Sequence, residues 1–273
     1  MSCSSSVRAP SARARHAGRP RSARPRAADD PSVNELPPQL ILRPRGAPFA
    51  DGLVLAEYDA RHRHHIGADM VHLPAEEREL AGSFRSEQRK IGFLSGRIAL
   101  RAAFAAHDPL LAAGAVLRDE RGRPHAAWNG APRITIAHTR VRAVAAVAPA
   151  AACAAIGVDV EELDAHRAHA LVRMSLSPEE IARVHTADDA MVAGPIALWC
   201  AREACVKAHA LEVGWFGTAL VATQFARCDN LVANAERSWT VEIALDSRAP
   251  MTAHAWESRG AVYAFATREA INA

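Results

Sequence analysis

Between residues 156 and 161, Ile156, Val158 and Val160 alternate with Gly157, Asp159 and Glu161. A period of two predicts a strand, with Asp159 and Glu161 together on one face. Farther along, Trp199, Glu203 and Lys207 recur every fourth residue, which places them on one face of a helix running from Gly194 to Leu211. Ile91, Leu94 and Ile98 form an apolar stripe that predicts a helix from Arg89 to Ala106, with Arg97 and Arg101 four apart on one face. Leu73–Glu77 reads as a helix start, and so does Leu176–Glu180, which opens a helix over Pro178–His185; each has proline early and acids in the first turn. Strands are expected over Leu53–Tyr58, Ile134–Thr139, Val141–Ala148, Trp239–Leu245, Met251–Glu257 and Gly260–Thr267, the last because Val262, Ala264 and Ala266 alternate with Tyr263, Phe265 and Thr267. Pro149 ends a strand, so Pro149–Ala155 reads as a connector between two halves, 39–150 and 151–273.

Composition adds boundaries more than chemistry. Residues 1–38 are rich in Arg, Ser, Ala and Pro, too poor in apolar side chains to order themselves, and are expected to be a disordered tail. The seven arginines from Arg8 to Arg26 suit nucleic acid or a transit peptide, but no apolar segment of a secretory signal is present. No apolar run reaches the length of a membrane span. Five cysteines, an odd number without a Cys-x-x-Cys, argue against a disulfide framework or zinc site and for a reducing cytoplasm. His62, His64 and His65 lack ligand spacing and read as a solvated loop. Cys200 and Cys205 read as packing residues.

Asp159, Glu161, Glu203 and Lys207 suit a divalent cation and a phosphorylated ligand, since magnesium takes carboxylates, waters and phosphate oxygens. A surface salt bridge would also explain Glu203 and Lys207. Metal-dependent nucleases use comparable sets, but with Glu and Lys two apart on a strand; here they are four apart on a helix. Glu162 falls on the opposite strand face, outside the carboxylate group.

These residues resemble the Sfp-type (group II) branch of the 4′-phosphopantetheinyl transferase superfamily. That family carries a Gly-(Val/Ile)-Asp-(Val/Ile)-Glu strand followed by a Trp-x-x-Lys-Glu-Ala-x-x-Lys helix. The first motif is intact at Gly157–Glu161; the second runs from Trp199 to Lys207 with Arg202 in place of lysine, and a Ser-Pro-Glu-Glu helix start joins them. The resemblance covers roughly residues 73–267. It implies an α+β fold of two similar α/β halves related by a pseudo-twofold. It also implies a monomeric enzyme that moves the 4′-phosphopantetheine arm of coenzyme A to a serine of an apo acyl, polyketide or peptidyl carrier protein. Neither nucleic acid nor membrane is a partner, and 3′,5′-ADP is released. By the same resemblance Mg2+ is held by Asp159, Glu161 and Glu203. Glu203, Lys207 and Asp159 are then the catalytic set, with Glu203 as base and Lys207 holding it ionised. Coenzyme A would be gripped by Arg97 and Arg101 on the Gly-Arg-x-x-x-Arg helix, by Arg118, Arg121, Gly122 and Arg123 around a basic Gly-Arg-Pro turn, and by His138 and Thr139. Ala137 stands where the family has serine before that histidine. His138 is otherwise readable as a satisfied core histidine. A non-catalytic coenzyme A or carrier-binding module is the alternative; it would be expected to have lost a metal carboxylate, and all three are present.

Overall fold

The computed structural model describes residues 40–44, 52–61, 70–126, 128–187, 191–211, 220–229, 231–245 and 249–269. The N-terminal tail and His62, His64 and His65 lie outside them. The first half is an antiparallel sheet with strand order β1-β2-β6-β5, made of β1 (Leu40–Leu42), β2 (Val54–Asp59), β5 (Arg133–His138) and β6 (Arg142–Ala148). Helix α1 (Ala75–Gly82) begins after Pro74 with Glu76 and Glu77 in its first turn, as the sequence predicts. Helix α2 (Glu87–His107) is capped by the Ser86 hydroxyl, which accepts from the Arg89 amide. Its residues from Gly92 to Phe104 are all buried, so it is the central helix of this half. Two short strands, β3 (Val116–Arg118) and β4 (Pro124–Ala126), make a hairpin whose second strand lies against β5.

The second half repeats the plan with a larger sheet of order β7-β11-β10-β9-β8: β7 (Ala155–Glu162), β8 (Leu220–Arg227), β9 (Arg237–Leu245), β10 (Met251–Ser258) and β11 (Ala261–Arg268). Helices α3 (Ala165–Met174) and α4 (Pro178–Ala187) precede α5 (Ala193–His209), whose buried face covers one side of the sheet against Val262, Ala264 and Ala266. The opposite sides of the two sheets meet in a shared apolar core. Leu55, Val144 and Ala146 come from the first half, and Val158, Val160, Trp256 and Tyr263 from the second. Each sheet is thus sandwiched between its own helix and the other sheet. The α+β reading holds, and residues 149–154 connect β6 to β7.

Helix α3 and strand β8 were not expected. Only Ala168 and Leu171 of α3 are buried, too few for an apolar stripe; its N-terminus is set by Asp164, whose carboxylate accepts from the Arg167 amide at 2.6 Å. Strand β8 carries a bulge between Ala222 and Gln224, which breaks the alternation that marks a strand in sequence.

Candidate active site

Gly157 explains how the two motifs come together. A β-carbon there would sit 2.0 Å from the Ala204 carbonyl oxygen and 2.7 Å from the Ala208 nitrogen, so helix α5 rests directly on the backbone of β7. That approach carries Lys207 onto the strand. Its Nζ donates to the Val158 carbonyl at 2.9 Å and to Asp159 Oδ1 at 2.7 Å. The expected partnership of Lys207 with Glu203 is therefore corrected: the ammonium is held by Asp159. The Lys207 charge still favours the Glu203 carboxylate, but it is outweighed. Burial raises its pKa, and the nearby charges of Asp159 and Glu161 raise it further. Glu161 shifts in the same direction, chiefly through burial, although Arg167 holds it at 3.0 Å and also lies over the Trp199 ring.

Asp159, Glu161 and Glu203 thus feel one another's charge but do not form a finished ligand set. Among the described residues no three His, Cys, Asp or Glu side chains stand in position to hold an ion. Asp159 is turned to Lys207 and Glu161 to Arg167, which corrects the expectation of three carboxylates already converged. Their chemistry still fits a hard divalent cation: three carboxyl groups with two of them destabilised as anions. Arg202, the departure from the family helix, is buried away from this cluster. It pairs with Glu180 and donates to the Ser175 carbonyl at 2.8 Å. Glu180 in turn accepts from the Ser177 amide at 2.9 Å and the Ala222 amide at 2.7 Å, so the Ser-Pro-Glu-Glu segment is a capping box bolted to α5. Cys200 and Cys205 are buried packing residues, as expected.

The residues expected to hold coenzyme A divide into groups. Arg121, Gly122 and Arg123 line a cavity of about 770 Å³ with β5, the start of β7 and Lys207. Asp119 shapes that turn by accepting from the amides of Arg121 at 3.0 Å and Arg123 at 2.8 Å, and it pairs with Arg123 Nε at 2.7 Å. His138 borders a second cavity of about 440 Å³ with Gln88, Ile91 and Arg140. It is exposed at the end of β5, with one ring face where a Gly92 β-carbon would be, so the core-histidine reading does not hold. Desolvation of the ring and nearby Lys207 lower its pKa.

Three other residues on the expected list have partners elsewhere in the fold, and of these Thr139 also lines the 440 Å³ cavity beside His138. Arg101 is buried; it pairs with Glu77 and donates to the carbonyls of Ala112 and Gly114, so it is a structural cation. The Thr139 hydroxyl donates to Glu162 at 2.8 Å and accepts from the amides of Val141 and Arg142. Arg118 lies over the rings of Phe84 and Phe93 and does not line the 770 Å³ cavity. Arg97 is different. It is 2% exposed, stacked over Phe93 at 5.1 Å, and its Nε and Nη1 are buried without a hydrogen-bond partner. Burial, with Arg101 and Arg118 close by, brings its pKa down to about 10.

Both motifs, the Glu180 bolt and the whole second sheet stand between residues 155 and 268, and it is over this stretch that the chain is similar to a known family. Residues 155–265 match the 4′-phosphopantetheinyl transferase superfamily. The resemblance read from the motifs therefore holds at the level of the superfamily. A crystal structure of a holo-(acyl-carrier-protein) synthase from Bacillus anthracis str. Ames in complex with CoA (3′,5′-ADP) is similar over 40% of this chain and 97% of its own. The identity is 18% and the TM-score 0.30. No curated protein matches the chain. No described helix is long and apolar enough to cross a membrane.

Sequence reasoning about the superfamily motifs set Glu162 aside and missed Arg140, Arg142 and Arg167 at this site. Arg140 borders the 440 Å³ cavity and a third of about 700 Å³, where it is joined by Arg61, Glu161, Glu162 and Arg167. Arg142 lies beneath them, 2% exposed. The signal for Arg142 was a charge at the start of an otherwise apolar strand, Arg142–Ala148. Arg140 and Arg167 left none in the sequence pattern.

Proposed function

We propose that the chain transfers the 4′-phosphopantetheine arm of coenzyme A to a serine of an apo carrier protein. The observation that carries this reading is the superfamily match over residues 155–265, within which Asp159, Glu161, Glu203 and Lys207 are all present on adjoining faces of β7 and α5. In the reaction the serine oxygen bonds to the β-phosphorus, the bridging P–O bond breaks, and 3′,5′-ADP leaves with the electron pair. Glu203 takes the serine proton. Its raised pKa supports that role, because a carboxylate of higher proton affinity is a better base. Asp159, Glu161 and Glu203 would hold Mg2+, which when bound neutralises charge on the diphosphate. Lys207 adds a fixed positive charge where charge builds during transfer. Arg121 and Arg123, on the wall of the cavity that Lys207 also borders, bind the adenosine-end phosphates.

Incubation with coenzyme A, Mg2+ and a panel of apo acyl, polyketide and peptidyl carriers, read by intact mass, tests the proposal. A carrier gaining the mass of one phosphopantetheine is expected. Coenzyme A bound tightly with no mass gain on any carrier would overturn transfer and leave a binding module.

A further inference from the structure

Among the described residues every β-ladder stays within one half. Strands β5 and β7 lie side by side, yet each is the edge of its own sheet. What joins the sheets is the apolar core around Val144, Ala146, Val158 and Tyr263. Apolar contact is non-directional, so it holds the halves together without fixing how one is placed on the other. Polar contacts that cross the boundary gather on Arg142 at one end of the seam. From β6 of the first half its Nε donates to Glu162 at 2.9 Å and its Nη1 to the Tyr263 hydroxyl at 3.1 Å. Its Nη2 donates to the Arg259 carbonyl at 3.1 Å. The same guanidinium holds Glu57 at 2.9 Å, and Tyr263 donates to Glu57 at 2.8 Å. Glu162 also accepts from Thr139, next to His138, and is itself next to Glu161.

We propose that Arg142 and Glu162 act as a positioning pin, fastening the Glu161 end of β7 to the His138 end of β5 and so setting the spacing between the carboxylates of one half and the coenzyme-facing side chains of the other. A buried guanidinium makes hydrogen bonds of fixed direction, the property the apolar core lacks. Buried polar groups are known to set register in this way where packing alone does not. The inference rests on the transfer reading, because a spacing has a catalytic consequence only if both sides of the crevice act on one substrate.

Glu162→Ala, Glu162→Gln and Arg142→Lys test it, with kcat and the KM for coenzyme A measured well below each variant's own Tm. Glu162→Ala is expected to lower kcat by about ten- to a hundred-fold while the KM for coenzyme A changes by less than about twofold, as a small misplacement of reacting groups does. Glu162→Gln keeps both acceptor contacts and should recover most of the loss. Arg142→Lys cannot reach Glu57, Glu162 and the Arg259 carbonyl at once and should resemble Glu162→Ala. Hydrogen exchange gives a second readout independent of turnover. In Glu162→Ala, amides of β5 and β7 should exchange faster together while those of α2 and α5 keep their rates. A lower Tm with unchanged kcat would overturn the pin, as would faster exchange confined to β7. Absence of transfer by the wild type would instead overturn the transfer reading, with exchange still deciding the pin.

Discussion

At the scale of single residues, the site is a balance of charges that a cation would change. Burial and mutual repulsion leave Glu161 and Glu203 reluctant to ionise, and Lys207, Arg167 and a hydrogen bond from Trp199 to Glu161 offset them in part. A ligand that binds the folded state and not the unfolded one raises Tm. Mg2+ at millimolar concentration is therefore expected to raise the Tm of the wild type in the absence of any substrate, and Asp159→Asn should remove that rise. An equal rise in the variant would place the ion elsewhere. His138 gives a pH test of the opposite cavity wall. Its folded-state pKa lies below the usual 6.5, so the unfolded chain takes up the proton first as pH falls. Stability is complete above the unfolded pKa and declines as pH drops through 6.5 toward the lower folded value. His138→Gln has no such proton to bind, so melts from pH 8 to pH 5 should show a smaller loss of Tm than the wild type. Identical profiles would show that His138 is not desolvated by the Gly92 contact.

At the scale of elements, glycine sets how closely a helix approaches a strand. Gly157 is part of the strand motif because α5 leaves no room for a side chain there, and Gly92 and Gly96 do the same for α2 over His138 and Ile136. Gly157→Ala must push α5 off β7, carrying Lys207 away from Asp159. Overpacking of this kind costs about 1–3 kcal/mol, so a clear fall in Tm is expected, together with a loss of the Mg2+-dependent rise. A variant with wild-type Tm would mean that α5 yields without strain. The helix and strand that carry the motifs were legible in the sequence because each buries one face, giving clean periods of 3.6 and 2. Helix α3 was not, because two buried residues write no stripe, and β8 was not, because its bulge shifts the phase midway. The meaning of the arginines was the least legible. Arg97 and Arg101 sit one turn apart in the same helix, yet Arg101 is tied to Glu77 and Arg97 is not hydrogen-bonded through Nε or Nη1. That difference is made by α1 and the segment before β3, which no local spacing reveals.

At the scale of the whole molecule, two halves supply opposite walls of one crevice. Arg121 and Arg123 come from the hairpin of the first half and Lys207 from α5 of the second, and all three border the 770 Å³ cavity. In the transfer reading the reacting phosphorus lies toward Asp159 and Lys207, and the adenosine end of coenzyme A lies toward the hairpin. The 3′-phosphate at that end is a dianion, which a guanidinium meets with two parallel hydrogen bonds. Arg123 is half exposed and gives its Nε to Asp119, leaving its two terminal nitrogens for a ligand. These contacts lie away from the bonds that change, so they contribute equally to ground and transition states and act on KM more than on kcat. Charge-assisted hydrogen bonds contribute about 1.5–3 kcal/mol each, so loss of one weakens binding by roughly 10- to 150-fold. Coenzyme A and dephospho-coenzyme A, which lacks the 3′-phosphate, separate this contact from every other. The wild type is expected to prefer coenzyme A through KM, and Arg123→Ala should lose much of that preference while its kcat with either substrate stays near wild type. Full retention of the preference in Arg123→Ala would mean that the arginine serves only the Asp119 turn, and the same comparison in Arg121→Ala would then show whether its neighbour reads the phosphate.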